Sequence, residues 1–261
     1  MKKPGTFGLS QDTIERLLNV ASPVILLLIW EICARFGVID VRFFPAPSKI
    51  FTQLMVMVEN GQLWKHFWAS MQRLFWGFLF GGVPALILGV AMGLSRPLRM
   101  LVEPLVSATY PVPKSAILPL VLLIFGLGES SKIVMVGIGI FFPIVINAMA
   151  GVLEIQKIYF DVSQNFGASR WQVFRTVALP GAMPLILTGV KLGIGMGLVL
   201  ISIAEMVGAK SGLGYMMWNA WEILSVETMY VGLIVIAVLG IVFSQIVSEI
   251  ERFIVPWKQA R

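Results

Sequence analysis

The sequence predicts an all-α polytopic membrane protein with six transmembrane helices, and three observations carry that prediction. Hydrophobic residues make up 57% of the 261-residue chain and charged residues only 13%, where a soluble domain carries about 25% charged residues. Apolar runs long enough to cross the hydrocarbon core, about 20 residues each, occur six times. The connections between them are too short to hold a second folded domain, so residues 17–257 read as a single transmembrane domain between a short 1–16 segment and a 258–261 tail.

Residues 1–16 carry Lys2, Lys3 and Arg16 without an apolar core, so no ordinary cleavable signal peptide is expected. The first span, about 17–36, is then an uncleaved anchor, interrupted by Pro23. It contains Glu31, which is expected to face other helices or an interface because a charge facing lipid is costly. The connection over about 37–70 opens with Pro45-Ala46-Pro47. Ser48 is a candidate helix cap there, and Ile50, Phe51, Leu54, Met55 and Val58 recur at helical spacing up to Gly61, which predicts a short amphipathic helix on the membrane surface. Trp64, Phe67 and Trp68 form an aromatic belt at re-entry.

The second span, about 73–94, carries Gly77 and Gly81, then Gly89 and Gly93, each pair four residues apart as in a close-packing seam. Arg96 and Arg99 make the following turn. In the third span, about 101–125, Pro104, Pro111, Pro113 and Pro119 force kinks or unwinding, which predicts a place in the interior where freed carbonyls can be satisfied. The fourth span, about 132–152, includes Pro143 and Asn147. A polar loop over 153–182 leads to the fifth span, about 183–207, with a Gly189, Gly193, Gly197 seam. An outer connection, 208–228, holds Gly212-Leu213-Gly214 and the Trp218/Trp221 pair before the sixth span, about 229–250.

With the amino terminus taken as cytoplasmic, inner segments hold eleven basic residues: Lys2, Lys3, Arg16, Arg96, Arg99, Lys157, Arg170, Arg175, Arg252, Lys258 and Arg261. Outer segments hold seven: Arg35, Arg42, Lys49, Lys65, Arg73, Lys132 and Lys210. This bias places both termini and the 153–182 loop in the cytoplasm.

Several functions are disfavoured. The net charge of +6 is scattered rather than gathered into a block, so nucleic acid is not an expected partner. One cysteine, Cys33, and one histidine, His66, leave no intrachain disulfide or multi-residue metal site. Gly208-Ala209-Lys210-Ser211 lacks the earlier glycine of a phosphate loop, and no hydrolase or metalloenzyme motif occurs. The chain is therefore not expected to be an enzyme or to bind a cofactor.

Residues 161–180, DVSQNFGASRWQVFRTVALP, are too polar for lipid yet carry Phe166, Trp171, Val173 and Phe174 on a short helix that Ser163 or Asn165 can cap. Such apolar residues stay exposed unless another protein covers them, which marks a docking surface. The stretch resembles the coupling loop of ABC importer permeases, a motif of E-A-A, three residues, Gly, nine residues and I-x-L-P. Gly167 stands at the glycine and Val177-Ala178-Leu179-Pro180 close the motif, while Asp161-Val162-Ser163 keeps only the carboxylate of the opening triplet. Pro45-Ala46-Pro47-Ser48, Pro111-Val112-Pro113, Leu118-Pro119-Leu120, Phe125-Gly126-Leu127-Gly128-Glu129-Ser130-Ser131-Lys132, Ala204-Glu205-Met206 and Gly212-Leu213-Gly214 extend the resemblance to the permeases of nitrate, sulfonate, taurine and bicarbonate importers.

That resemblance implies the type I ABC importer permease fold with a cytoplasmic coupling helix, in the bacterial inner membrane. It implies as partners a second permease copy, in a homodimer, together with two cytoplasmic ATPases carrying ATP and Mg and an extracytoplasmic binding protein. Asp161, Phe166, Gly167, Ala168, Ser169, Trp171, Phe174, Leu179 and Pro180 would couple to the ATPase. For the translocation pathway, Ser107, Tyr110 and Lys114 share one helical face, and Thr188, Lys191, Ser202 and Glu205 another. Lys114 and Lys191 would favour an anion, whereas a structural pairing of Glu205 with a lysine is the alternative. An ATPase-independent transporter or channel working through Glu31, Glu103 and Glu205, a membrane enzyme, and a permease for a neutral vitamin precursor remain as competing readings.

Overall fold

The computed structural model describes residues 11–256, with side chains from residue 21 onward. Lys2, Lys3 and the 258–261 tail with Lys258 and Arg261 lie outside the described residues, as does the side chain of Arg16. Every regular element described is helical: α1 Gln11–Arg35, α2 Pro47–Glu59, α3 Gln62–Leu94, α4 Arg96–Thr109, α5 Leu118–Phe125, α6 Glu129–Leu153, α7 Lys157–Asn165, α8 Arg170–Met206, α9 Leu213–Glu222 and α10 Val226–Ile254.

Among the described residues four helices, α3, α6, α8 and α10, are long and apolar enough to cross a membrane, or five if the bent pair over 96–125 is one span, fewer than the six spans the sequence predicts. Instead of one kinked third span over 101–125, α4 stops at Thr109 and the chain resumes at Lys114 at an angle of 88°. Pro111 and Pro113 explain the stop, since each removes a backbone donor and turns the preceding residue away from helical geometry. The Lys114 ammonium donates to the carbonyls of Thr109 (2.8 Å), Tyr110 (2.9 Å) and Val112 (2.9 Å), satisfying acceptors that the break would leave bare. Within this single chain the broken pair is not interior, as the prolines had suggested: Leu105 is 64% and Leu123 83% exposed.

The centre of the molecule is α6, held between α3 and α8. A Cβ added to Gly81 would lie 2.4 Å from Cα of Gly137, and one added to Gly89 would lie 2.5 Å from the Val145 carbonyl. From the other side, Gly189 sits on Asn147 and Pro143, and Gly197 on Ile140. Both glycine seams therefore face the same helix. Lipid tails are as apolar as leucine, so this close approach stabilises the trio through van der Waals contact rather than through the exclusion of water. Leu74, Val136, Ile140, Ile144, Val145 and Ile201 fill the resulting core.

α3 and α8 each contain one wide π turn, Phe78–Gly82 and Phe174–Ala178. Each is followed, two residues on, by a proline: Pro84 and Pro180. A proline ring clashes with the carbonyl four residues back and supplies no donor, and the wide turn relieves that clash without ending the helix.

The chain's first third is tied down by Glu31. Its carboxylate accepts from the Ser48 backbone N–H (3.0 Å), the Ser48 hydroxyl (2.8 Å) and Arg35 Nε (2.6 Å), fixing α1 to the start of α2. α2 then buries Ile50 and Met57 and leaves Phe51 and Met55 outside, the amphipathic helix its spacing predicts. Two boundaries differ from the sequence reading. α3 already begins at Gln62, so the aromatic belt is its first turns rather than a separate approach, and α8 begins at Arg170 rather than near 183. Its 37 residues make α8 about 55 Å long against a hydrocarbon core of about 30 Å. One end must project beyond lipid.

Candidate functional site

The amino-terminal end of α8 is joined to α7 by a turn fixed from both sides. Gly167 N–H donates to the Gln164 carbonyl (2.9 Å) and Ala168 N–H to the Ser163 carbonyl (3.0 Å), closing α7 with Gly167 at φ +72°. That left-handed value is why glycine stands there. Two residues later Ser169 opens α8 with a reciprocal cap, its hydroxyl accepting from Gln172 N–H (3.3 Å) while Gln172 Oε1 accepts from Ser169 N–H (2.7 Å). The cap is thus Ser169 rather than Ser163 or Asn165. Ser163 instead donates to the Phe160 carbonyl at 2.8 Å.

On this rigid joint Phe166 is 86% and Trp171 67% exposed. Trp171 stacks on Phe174 with centroids 5.2 Å apart, and Phe174 and Leu179 pack inward against Val90, Ala148 and Val152. Asp161 is half-buried on α7, Ala168 lies in the turn itself, and Pro180 follows the wide turn. The nine sequence-selected residues of this loop therefore fall in one continuous structure. Two of them present bare aromatic surface, and Phe174 stacks on one of these rings.

The seven residues chosen for a pathway do not converge. Among the described residues Lys114 is the one cation lining a cavity of about 680 Å³ that also takes in Phe80, Thr109, Val112, Phe141 and Phe142, and its ammonium sits 4.0 Å from the Phe142 ring centroid. Ser107 and Tyr110 line a separate cavity of about 240 Å³ with Glu103 and Met149. On α8, Thr188 donates to its own helix at Pro184 (2.9 Å) and Ser202 does the same at Leu198 (2.7 Å). Lys191 reaches Ser248 on α10 at 3.1 Å.

Glu205 turns away from all of these. It is fully buried at the opposite end of α6 from the α7–α8 joint, about 37 Å away along that helix. Its carboxylate accepts from Arg73 Nη1 (2.8 Å), the Ser70 hydroxyl (2.8 Å) and the Gly214 backbone N–H (2.9 Å). Arg73 also grips Glu129 through Nε and Nη2, each at 2.6 Å, and donates to the Ser211 carbonyl at 2.7 Å. The neutralising partner of Glu205 is thus Arg73 and not a lysine. Lys132, 1% exposed, donates to the Leu127 carbonyl beside this group, so two cations and two carboxylates balance. A Cβ on Gly212, whose φ is +120°, would strike the Glu205 carboxylate at 2.2 Å, and one on Gly214 would strike the Ser202 carbonyl at 2.1 Å. Gly212-Leu213-Gly214 is the stretch that can lie flat on this buried pair.

Arg73, Ser70 and Glu129 were not singled out as site residues from the sequence. The loop-charge pattern places Arg73 among the outer-side basic residues, whereas the structure buries it. The available signal was an arginine and a glutamate each inside an apolar run, which a membrane tolerates when they meet.

Comparison with known proteins agrees with this architecture. Residues 85–257 match the family described as binding-protein-dependent transport system inner membrane component. The taurine transport system permease protein TauC of Escherichia coli (strain K12) is 36% identical over 249 residues, covering 92% of this chain and 89% of that one. SsuC of the same organism, a permease named for aliphatic sulfonates transport, is 35% identical over 247 residues, 94% of each chain. Among solved structures, an inward-facing form of the MetNI methionine ABC transporter superposes with a TM-score of 0.64 at 22% identity, over 74% of this chain and 98% of that one. The chain belongs to the family of inner membrane components of binding-protein-dependent transport systems, the permeases of ABC importers.

Proposed function

We propose that this chain is the membrane permease of an importer for a small sulfonate-type anion, worked by alternating access between a binding protein outside and ATPases inside. The observation that carries the coupling half is the pair Phe166 and Trp171, left bare on a joint whose backbone is fixed from both directions. An aromatic knob on a stiff projecting helix is suited to transmit a push, because force applied to it moves α8, and with it α6, as a rigid body. Asp161, Gly167, Ala168, Ser169, Phe174, Leu179 and Pro180 shape that knob. Two ATPases supply ATP and Mg, two copies of this chain form the channel, and both termini and the 153–182 loop face the cytoplasm. This chain itself binds no nucleotide and hydrolyses nothing.

The substrate class rests on the names of the relatives, taurine and aliphatic sulfonates. In the pathway we assign to the broken span, the substrate passes Ser107, Tyr110 and Lys114. Lys114 spends its protons on three carbonyls, yet its charge remains inside the membrane, where it attracts an anion strongly. Thr188, Lys191, Ser202 and Glu205 then serve the frame around that path.

The test is taurine uptake into proteoliposomes holding this chain, its cognate ATPase and its binding protein. Uptake that requires ATP, and that falls at least tenfold in Phe166→Ala/Trp171→Ala with the ATPase still attached, is the expected result. ATP-independent uptake, or labelling that finds residue 166 on the outer face, would overturn the proposal.

A further inference from the structure

The start of α9 is held by side chains that belong to other helices. Three successive backbone N–H groups there each meet one acceptor: Gly212 N–H donates to His66 Nδ1 (3.2 Å), Leu213 N–H to the Ser70 hydroxyl (2.9 Å) and Gly214 N–H to the Glu205 carboxylate (2.9 Å). His66 and Ser70 lie one turn apart on α3 and Glu205 lies on α8, so these bonds fasten α9 to both long helices. His66, Ser70, Glu205 and Leu213 are all buried. A backbone N–H that loses its acceptor in such a place finds no water to replace it.

Of the three acceptors, His66 has a condition attached. An imidazole nitrogen accepts only while it carries no proton, so the Gly212 bond requires a neutral ring with its proton on Nε2. A proton on Nδ1 would aim one donor at another and would set a positive charge at a helix start, which already carries partial positive charge. Lys65, its neighbour on α3, is the charge that acts on the ring directly. Tyr215 of α9 lies beside it with ring centroids 5.7 Å apart. Glu205 of α8 is reached through Ser70 and is already paired with Arg73, beyond which stand Glu129 and Lys132 of α6.

We propose that His66 is an acid-released latch: while neutral it docks the start of α9 onto α3 and α8, and a proton on Nδ1 undocks it. The docked state needs a bare Nδ1 and the undocked state does not, so the undocked state binds more protons and acid favours it. With the undocked imidazole titrating at its ordinary solution value, the balance moves toward release about thirtyfold by about pH 5. What is freed is the entry to the helix that carries the Trp218/Trp221 pair.

The experiment follows amide hydrogen exchange of the full chain in nanodiscs, with no ATPase or binding protein present, so its outcome is independent of the transport reading. Corrected for the pH dependence of exchange chemistry itself, peptides spanning 208–215 should lose about tenfold or more of their protection between about pH 7.5 and about pH 5. Peptides over 140–148, in the middle of α6, should keep theirs. His66→Asn offers a side-chain oxygen near the Nδ1 position that does not titrate, and His66→Leu offers no acceptor; the pH dependence over 208–215 should vanish in both. Because His66 is the single histidine of the sequence, the spectrum of a nitrogen-labelled imidazole reports it alone and should show proton uptake over the same pH range. Acid loosening that persists in His66→Asn would overturn the proposal and trace the effect to another group. An imidazole that takes up its proton while 208–215 stays protected would overturn it as well.

Discussion

Arg73 holds together parts of the chain that are far apart in sequence, and its removal should be felt accordingly. Arg73→Leu leaves Glu205 buried without a counter-charge, a loss of about 3–5 kcal/mol when one partner of a buried pair is deleted. Thermal unfolding in detergent should show a large fall in Tm, and Arg73→Leu/Glu205→Leu should recover much of it. Glu129→Gln should be mild, because that carboxylate is two-thirds exposed and an exposed pair contributes no more than about 1 kcal/mol. Gly212→Ala adds a Cβ onto the Glu205 carboxylate at a φ that L-residues avoid, so it should mimic the arginine deletion. At Gly167 the added Cβ meets open space, so Gly167→Ala should cost only the backbone strain, about 1–2 kcal/mol. Sequence reasoning found Glu205 and both glycines but not Arg73, because the pairing joins residues 132 positions apart. No local pattern encodes which of several charges a buried carboxylate will meet.

Between elements, the glycine seams make an unequal pair of predictions. Gly81 and Gly137 touch across the α3–α6 contact, yet a Cβ on Gly81 would meet Gly137 at 2.4 Å while a Cβ on Gly137 finds its nearest neighbour at 3.5 Å. Gly81→Ala should therefore lower folded yield and Tm, and Gly137→Ala should be tolerated. Equal effects in a side-by-side purification would contradict this contact. The four-residue glycine period was visible in the sequence, and so was the disruption of the third span by its prolines. Which helix the seams face was not, since α6 advertises no comparable period of its own. The break itself offers another test: Lys114→Met strips three carbonyls of their donor at once. Proteolysis near residues 109–114 should quicken, alongside any loss of anion transport.

For the whole molecule, the sequence was enough to give the class and the membrane setting, which follow from composition, and it singled out 161–180 as a polar stretch between apolar ones. It missed how far α8 extends, because the polar residues up to 182 read as loop when they and Pro180 are in fact part of a continuous helix. That continuity matters for transmission. A joint at one end of α8 and a locked ion pair at the other belong to one rod, so Phe166→Ala/Trp171→Ala should impair ATPase-linked transport while leaving Tm near wild type. The two wide turns sharpen the point. Each adds a residue beyond regular winding, and one residue of an α-helix is about 100° of rotation. Winding residues 78–82 at regular pitch with all five residues kept would swing everything before them, Arg73 included, a quarter turn or more out of phase with its partners, whereas deleting one of the five should leave that register intact. These two rods are keyed like gear shafts, and the keys are the turns beside Pro84 and Pro180.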